Sequence, residues 1–372
     1  SRGPSFSYAS CHVKPPTLQP CLFKIPNNPI FPGEPTQRWP FRPHKLWSSE
    51  MRLFLLIALN LNLSVARAEP QPASSGNQPV LIEDEAGRRT WHTSRLSIQS
   101  TADLSPRDLN RLATVAEATV RAVAAHPLPL FKPPSDERLR IIILHDDASY
   151  VAEGGRIGSA GMYLWRQRCV ILHAQHLFRS QPASRLRAEA DENLIVHELV
   201  HLCMHSVPAN LPQWLKEGIC EYFAAANQGG GRFRFDQPEQ SIRRHLRKRF
   251  DPGNPEIPVA PIHEIAGLDA RQWSAYLDRL PLEEHLHPYA TALLLTHYYL
   301  HGGPERRSVI QRALEAPATK ASTSFDLPLR ERNSKILEQL GRYWRPKGLQ
   351  LRVSSSLPAT SPEKTPESKG TD

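Results

Sequence analysis

The residues with the clearest chemical potential are His197-Glu198-Leu199-Val200-His201. Two histidines four apart on a helix stand one turn apart on the same face, so both imidazoles can reach a single ion. Glu198, next to the first histidine, falls beside such an ion, where a carboxylate can take a proton from water. The flanking Leu194, Ile195, Val196, Leu199, Val200 and Leu202 are all uncharged, as a helix at the centre of a domain requires. Two histidines and a general base amount to an incomplete catalytic zinc site, which takes three protein ligands and keeps one position for water.

Downstream, Trp214-Leu215-Lys216-Glu217-Gly218-Ile219-Cys220-Glu221-Tyr222-Phe223 places two carboxylates four apart in a largely apolar helix. Buried carboxylates need partners. Glu217 is therefore expected as the third metal ligand, and Glu221 as an acceptor that orients a ligand histidine, His197. His205 follows His201 by four residues, but on a continuous helix it lies about 6 Å further along the axis, too far to share the ion.

The elements that must hold these residues can also be read. Trp91 to Gln99 alternates as a strand, and Leu109 to Ala125 has helical spacing after the cap-like Ser105-Pro106. Leu139 to His145 is a β-branched, buried strand. Glycines between 154 and 161 mark a loop, followed by a strand pair, Met162–Trp165 and Cys169–His173, turning at Arg166–Arg168. Helices are expected at about 185–205 and from Pro212 to about Ala226, the second stopped by Gly229-Gly230-Gly231. The rest is mainly helical, with Tyr289–Leu300 the most apolar segment.

The 372 residues carry 46 Lys and Arg against 37 Asp and Glu, a net charge of +9 that invites a nucleic-acid reading. The excess sits at the front. Residues 1–50 hold a net +4 and ten of the 35 prolines, and 51–68 add +2; residues 69–372 have 38 basic and 35 acidic side chains. Met51 opens a basic start, an apolar stretch from Leu53 to about Val65 and an Ala66-Arg67-Ala68 ending, the composition of a cleaved secretory signal. The expectation is that translation starts at Met51, that 1–50 is a non-native or disordered extension, and that the product is secreted or periplasmic.

On this reading 69–87 is a linker, 88–345 the folded domain (sheet part about 88–206, helical part about 207–345) and 346–372 a disordered tail. No stretch reaches the roughly 18 apolar residues of a membrane span, so the mature form should have none. Cys169, Cys203 and Cys220 are an odd number, so at least one thiol stays unpaired in a monomer, and for at least one of them the expected role is that of a small buried hydrophobe. The basic run Ile242 to Arg249 lacks interleaved aromatics and reads as a solvated helix face, so no nucleic-acid partner is expected. His285 and His287, just before Tyr289, fit either the lining of a cleft or surface loop histidines, and His173 and His176 have no partner that the sequence names.

HExxH followed by Trp-Leu-x-Glu-Gly-x-x-Glu-Tyr resembles the gluzincin metallopeptidases. It is similar to the aminopeptidase N family and to smaller bacterial peptidase MA-like proteins, including a secreted group known as domain of unknown function 1570. The metzincin pattern would need a histidine six residues after His201, where Val207 stands. The resemblance spans about 88–345. It implies an α+β zincin-like fold with a small mixed sheet, an active-site helix and a helical C-terminal part. It also implies a Zn²⁺ cofactor, peptide or protein substrates and an endopeptidase activity with Glu198 as general base. In gluzincins a tyrosine before a long apolar helix helps to stabilise the tetrahedral intermediate; Pro288-Tyr289-Ala290-Thr291-Ala292-Leu293 matches, which gives that role to Tyr289. One departure stands out. Aminopeptidases carry Gly-x-Met-Glu-Asn on the edge strand, but Gly158 to Leu164 has no acidic residue to bind a free amine, so exopeptidase action is not implied. The strand after Gly161 could still receive an extended peptide by strand addition.

Overall fold

In a computed structural model of the chain, the described residues are 78–85, 87–177, 191–207, 211–250, 254, 256–315 and 333–354, all within the unit Ala68–Asp372. The expectations for 1–50 and 51–68 lie outside them. A six-stranded mixed sheet runs in the order β1-β2-β3-β4-β6-β5, from β1 (Val80–Glu85), β2 (Arg88–His92), β3 (Leu96–Ser100), β4 (Leu139–Leu144), β5 (Gly161–Leu164) and β6 (Cys169–His173). β3, β4 and β6 are parallel neighbours; the remaining pairs are antiparallel. The α+β class is thus as expected.

Helix α1 (Pro106–Ala124) crosses from β3 to β4. Ser105 caps it by accepting from the Asp108 N–H, with Pro106 in the first turn. Its face of Leu109, Leu112, Ala113, Ala116, Val120 and Val123 is buried in the main core. The short helix α2 (Asp147–Ala152) follows β4, and the β5–β6 hairpin forms as the sequence suggests. Beyond the sheet come α3 (Glu192–Cys203), α4 (Gln213–Ala226), α5 (Pro238–Arg249), α6 (Ala270–Arg279), α7 (Leu286–His301), α8 (Pro304–Glu315) and α9 (Asn333–Trp344). The segment 185–190, expected in the α3 helix, lies outside the described residues.

Three boundaries differ from expectation. Trp91–Gln99 is not one strand but two, because the chain turns at Thr93-Ser94-Arg95. The buried Glu117 of α1 accepts from Thr93 Oγ1 (2.5 Å), Ser94 Oγ (3.1 Å) and the Arg95 N–H (3.1 Å) and holds that turn. Part of the expected linker, Val80–Glu85, is an edge strand with every side chain exposed. Part of the expected tail, Gln350–Val353 (β8), pairs in parallel with β7 (Glu256–Val259), which also puts a small sheet into the part expected to be helical. The Cys169, Cys203 and Cys220 thiols are all free and buried.

Helices α4 and α7 touch at Gly218. A Cβ there would lie 2.1 Å from Thr296 Oγ1 and 2.3 Å from the Ala292 carbonyl oxygen, so the two backbones meet closely only because glycine has no side chain. Gly218→Ala should force α4 and α7 apart and cost about 1–3 kcal/mol, the usual range for overpacking, read as a lower urea midpoint with an unchanged slope.

The core also buries neutral histidines. His297, 2% exposed, stacks on His301 at 4.7 Å and packs against Tyr343 and Trp344. Burial, helped by His301, holds its imidazole down at about 3, and burial likewise holds His126 at about 4. An unfolded imidazole titrates near 6.5, so between that pH and the folded values the unfolded chain takes up protons that the folded chain refuses. Stability from these groups is therefore complete above about pH 6.5 and drains away as the pH falls towards 4. Thermal midpoints from pH 8 to 4 should decline below 6.5, and His297→Phe should flatten that decline.

Candidate metal centre

Helices α3 and α4 pack side by side, each presenting its functional face to the other. On α3, Glu192 accepts from Arg111 (2.7 Å) and from the Gly230 N–H (2.8 Å), tying the helix start to α1 and to the glycine loop after α4. Asp191 caps it through the Leu194 N–H. His197 and His201 then fall one turn apart with ring centroids 5.0 Å apart.

Both rings direct Nε2 at one atom. His197 Nε2 is 3.1 Å and His201 Nε2 3.4 Å from Glu217 Oε2, while Gln213 Nε2 holds the other Glu217 oxygen at 2.7 Å. Donor atoms 2.0–2.2 Å from an ion at tetrahedral angles stand about 3.3 Å from one another, so Glu217 Oε2 stands from each imidazole nitrogen at the spacing of two ligands of one ion. Sγ of Cys220, one turn beyond Glu217, joins the same cluster: His197, His201 and Cys220 each offer a ligand atom, all within 4.8 Å of one another. A buried group that could bind a metal ion is thus present.

Glu221 lies on the far side of the His197 ring, its Oε1 3.1 Å from Nδ1, an ion-pair distance without full hydrogen-bond alignment. Its carboxylate is also gripped by His245 Nε2 (2.7 Å) and Arg249 Nη1 (2.8 Å), both from α5. This corrects the reading of α5 as a solvated face. His245 is 3% exposed, Arg243 and Arg247 donate to the Lys347 and Gly348 carbonyls, and Arg244 reaches Gln228 and the end of α4.

Burial alone would raise every carboxyl here, and the outcome differs with the neighbours. Burial pushes Glu198 up, only partly offset by His197 and His201, so its net shift is upward. For Glu217, His201 and His197 outweigh burial and hold the carboxyl well below the usual range. For Glu221, Arg249, His197 and His245 do the same. Burial disfavours the His197 imidazolium, but Glu217 and Glu221, one at each ring nitrogen, prevail and raise it to about 10. A proton thus takes the place of a cation between ring and carboxylates. Two anionic glutamates and one glutamate of raised affinity for protons, in a single buried cluster, is an electrostatic division of labour.

Glu198 is fixed by the hairpin. The Tyr163 backbone N–H hydrogen-bonds its carboxylate, and at Gly161 a Cβ would stand 3.3 Å from Glu198 Cγ and 2.9 Å from Leu172 Cδ2. The Tyr163 ring stacks on His201, with centroids 6.1 Å apart and planes 9° apart, while its hydroxyl pairs with His205 Nδ1 at 2.5 Å. His205, set aside as a ligand on spacing, is engaged there and under Trp165 (5.5 Å). Tyr289, at the start of α7, packs edge-on against His197 (6.1 Å) and Trp273 of α6 (5.5 Å). Burial and then Glu217 raise its phenol, keeping it protonated and able to donate.

Every residue assigned from sequence, His197, Glu198, His201, Glu217, Glu221 and Tyr289, is therefore brought into one cluster. His285 and His287 are not: they bond to the Leu280 carbonyl and to Ser354. His173 pairs with Asp147 at 2.9 Å. Sequence reasoning missed Cys220, Tyr163, His245 and Arg249. The spacing of Cys220 three after Glu217, and of His245 four before Arg249 beside buried Ile242 and Leu246, carried the signal. No protein-family model and no curated protein matches the sequence. No helix of the described residues is long and apolar enough to cross a membrane.

Glu221→Ala should leave the buried His245 and the half-buried Arg249 without their anion. Breaking a buried pair by removing one partner costs about 3–5 kcal/mol, to be read in denaturant unfolding at neutral pH. Because the folded Glu221 pKa is depressed, its contribution is complete above about pH 4.5 and lost as the pH falls further.

Proposed function

We propose that this chain is an exported zinc-dependent metallopeptidase of the gluzincin type, an endopeptidase that hydrolyses peptide bonds with Glu198 as general base. The observation that carries the reading is the convergence of His197 Nε2 and His201 Nε2 on Glu217 Oε2, at 3.1 and 3.4 Å, with Glu198 alongside. His197, His201 and Glu217 would hold the ion; the donor set of two imidazoles and one carboxylate suits Zn²⁺. When bound, the ion supplies a Lewis acid that polarises the scissile carbonyl and lowers the pKa of water to near neutrality.

The remaining work falls to the chain. Glu198, whose affinity for protons burial raises, accepts the proton of the attacking water and returns it to the leaving amine. Tyr289, kept protonated beside His197, donates to the oxyanion that forms on the carbonyl oxygen. Glu221, anchored by His245 and Arg249, keeps the His197 ring turned so that Nε2 faces Glu217. β5 is the last strand of the sheet order among the described residues and stands against Glu198 through Gly161, so an extended peptide pairing with its outer edge would pass the general base. The absence of an acidic residue in 158–164 favours cleavage within a chain over removal of single N-terminal residues. The signal-like segment 51–68 supports export into a secreted or periplasmic setting.

Cys220 favours one rival, a non-catalytic zincin-like envelope-binding module with a structural metal, since structural zinc sites take four protein ligands and favour cysteine. Metal analysis and hydrolysis of a peptide library separate the two. The proposal expects one equivalent of zinc, hydrolysis abolished by chelation and restored by zinc, and Glu198→Gln lowering turnover by about 10²–10⁴ with metal content unchanged. Bound metal without hydrolysis, or an active Glu198→Gln enzyme, would sink it.

A further inference from the structure

Cys220 has no part in the hydrolysis described above, yet it is built into the same cluster. Its side chain is wholly buried, and its Sγ lies within 4.8 Å of a ring nitrogen of both His197 and His201. It follows Glu217 by three residues on α4, so the two side chains are offset by about 60° around the helix and 4.5 Å along it, and both face α3. An ordinary core cysteine packs among apolar side chains. This one stands beside two imidazoles, with Glu217, Glu198 and Glu221 close enough to act on its thiol. Sulfur and nitrogen ligands of one tetrahedral zinc, at 2.3 and 2.0–2.1 Å, stand about 3.5 Å apart, so closure onto a shared ion asks for side-chain adjustments of about an ångström.

We infer that Cys220 is a protein ligand of the ion held by His197 and His201, so that the centre can assemble a two-imidazole, one-thiolate, one-carboxylate set. This rests on the metal reading above. On coordination the S–H bond breaks, a sulfur–metal bond forms and the proton leaves to solvent, with no change of oxidation state. A thiolate in the fourth position and a water molecule there are alternatives. Cys220 is then a built-in competitor for the position that hydrolysis needs open, and the resting enzyme has a closed centre.

The full chain is loaded with Co²⁺ and its near-ultraviolet spectrum recorded, with zinc X-ray absorption as the second measurement. The inference expects an intense sulfur-to-cobalt charge-transfer band and one sulfur at about 2.3 Å from zinc. Cys220→Ser and Cys220→Ala should lose the band and the sulfur while still binding one equivalent of metal; Cys203→Ser should keep both. If the Cys220 variants do not fold, the wild-type spectra still decide. Bound metal with only nitrogen and oxygen neighbours overturns the Cys220 assignment and leaves the metal reading intact. A sulfur signal that survives in Cys220→Ser but vanishes in Cys203→Ser overturns it equally. Failure of the wild type to bind either metal removes both readings together.

Discussion

The organisation of this domain depends on two carboxylates buried on one face of one helix. Glu217 and Glu221, 6% and 2% exposed, bracket the His197 ring, one on each nitrogen. Removing a carboxylate from water costs several kcal/mol unless charges and hydrogen bonds replace the lost hydration. Glu221 has its replacement in Arg249 and His245. Glu217 has Gln213 and two imidazoles, which are cationic only when protonated. With Glu198 buried beside them, carboxyl groups outnumber the permanent positive charges, so a proton or a cation at the imidazoles is needed to balance the cluster.

The surrounding structure serves to keep these groups at fixed separation. Gly218, between Glu217 and Cys220, lets α4 lie against α7, which sets how deep the carboxylates sit and brings Tyr289 to the same ring. Gly161 performs the matching task on the other side, allowing β5 to approach Glu198 until the Tyr163 N–H meets its carboxylate. α5 braces the arrangement from behind, joined through Arg243 and Arg247 to the carbonyls just before β8. The chemistry therefore depends on contacts from residues widely separated along the chain.

This explains what could and could not be read from the residues alone. The paired histidines and paired glutamates were legible because helix geometry converts a spacing of four into a shared face. The strand pair and α1 were legible for the same local reasons. The turn at Thr93–Arg95 was not, because the group that stabilises it, Glu117, belongs to a helix more than twenty residues on. β1 escaped notice because both its faces are exposed, which removes the alternation that marks a half-buried strand. β8 pairs with β7 from 94 residues away, and no local pattern encodes that partner. A run of arginines reads as solvated unless its carbonyl and carboxylate acceptors are known, and those of α5 come from α4 and the β8 approach.

Donor number, more than ion identity, decides what such a centre does. Three protein donors leave a position for water and permit hydrolysis; four close it. On α4 the two proposed donors, Glu217 and Cys220, are three residues apart and face the same pair of imidazoles, so no helix would have to move to choose between them. The balance rests on the side-chain torsions of Glu217 and Cys220. Gln213 restrains the first through its 2.7 Å bond to the oxygen turned away from the histidines. That bond leaves Glu217 Oε2 free to point at His197 and His201; on the ligand set proposed above, this would make the carboxylate the permanent ligand and the thiolate the exchangeable one.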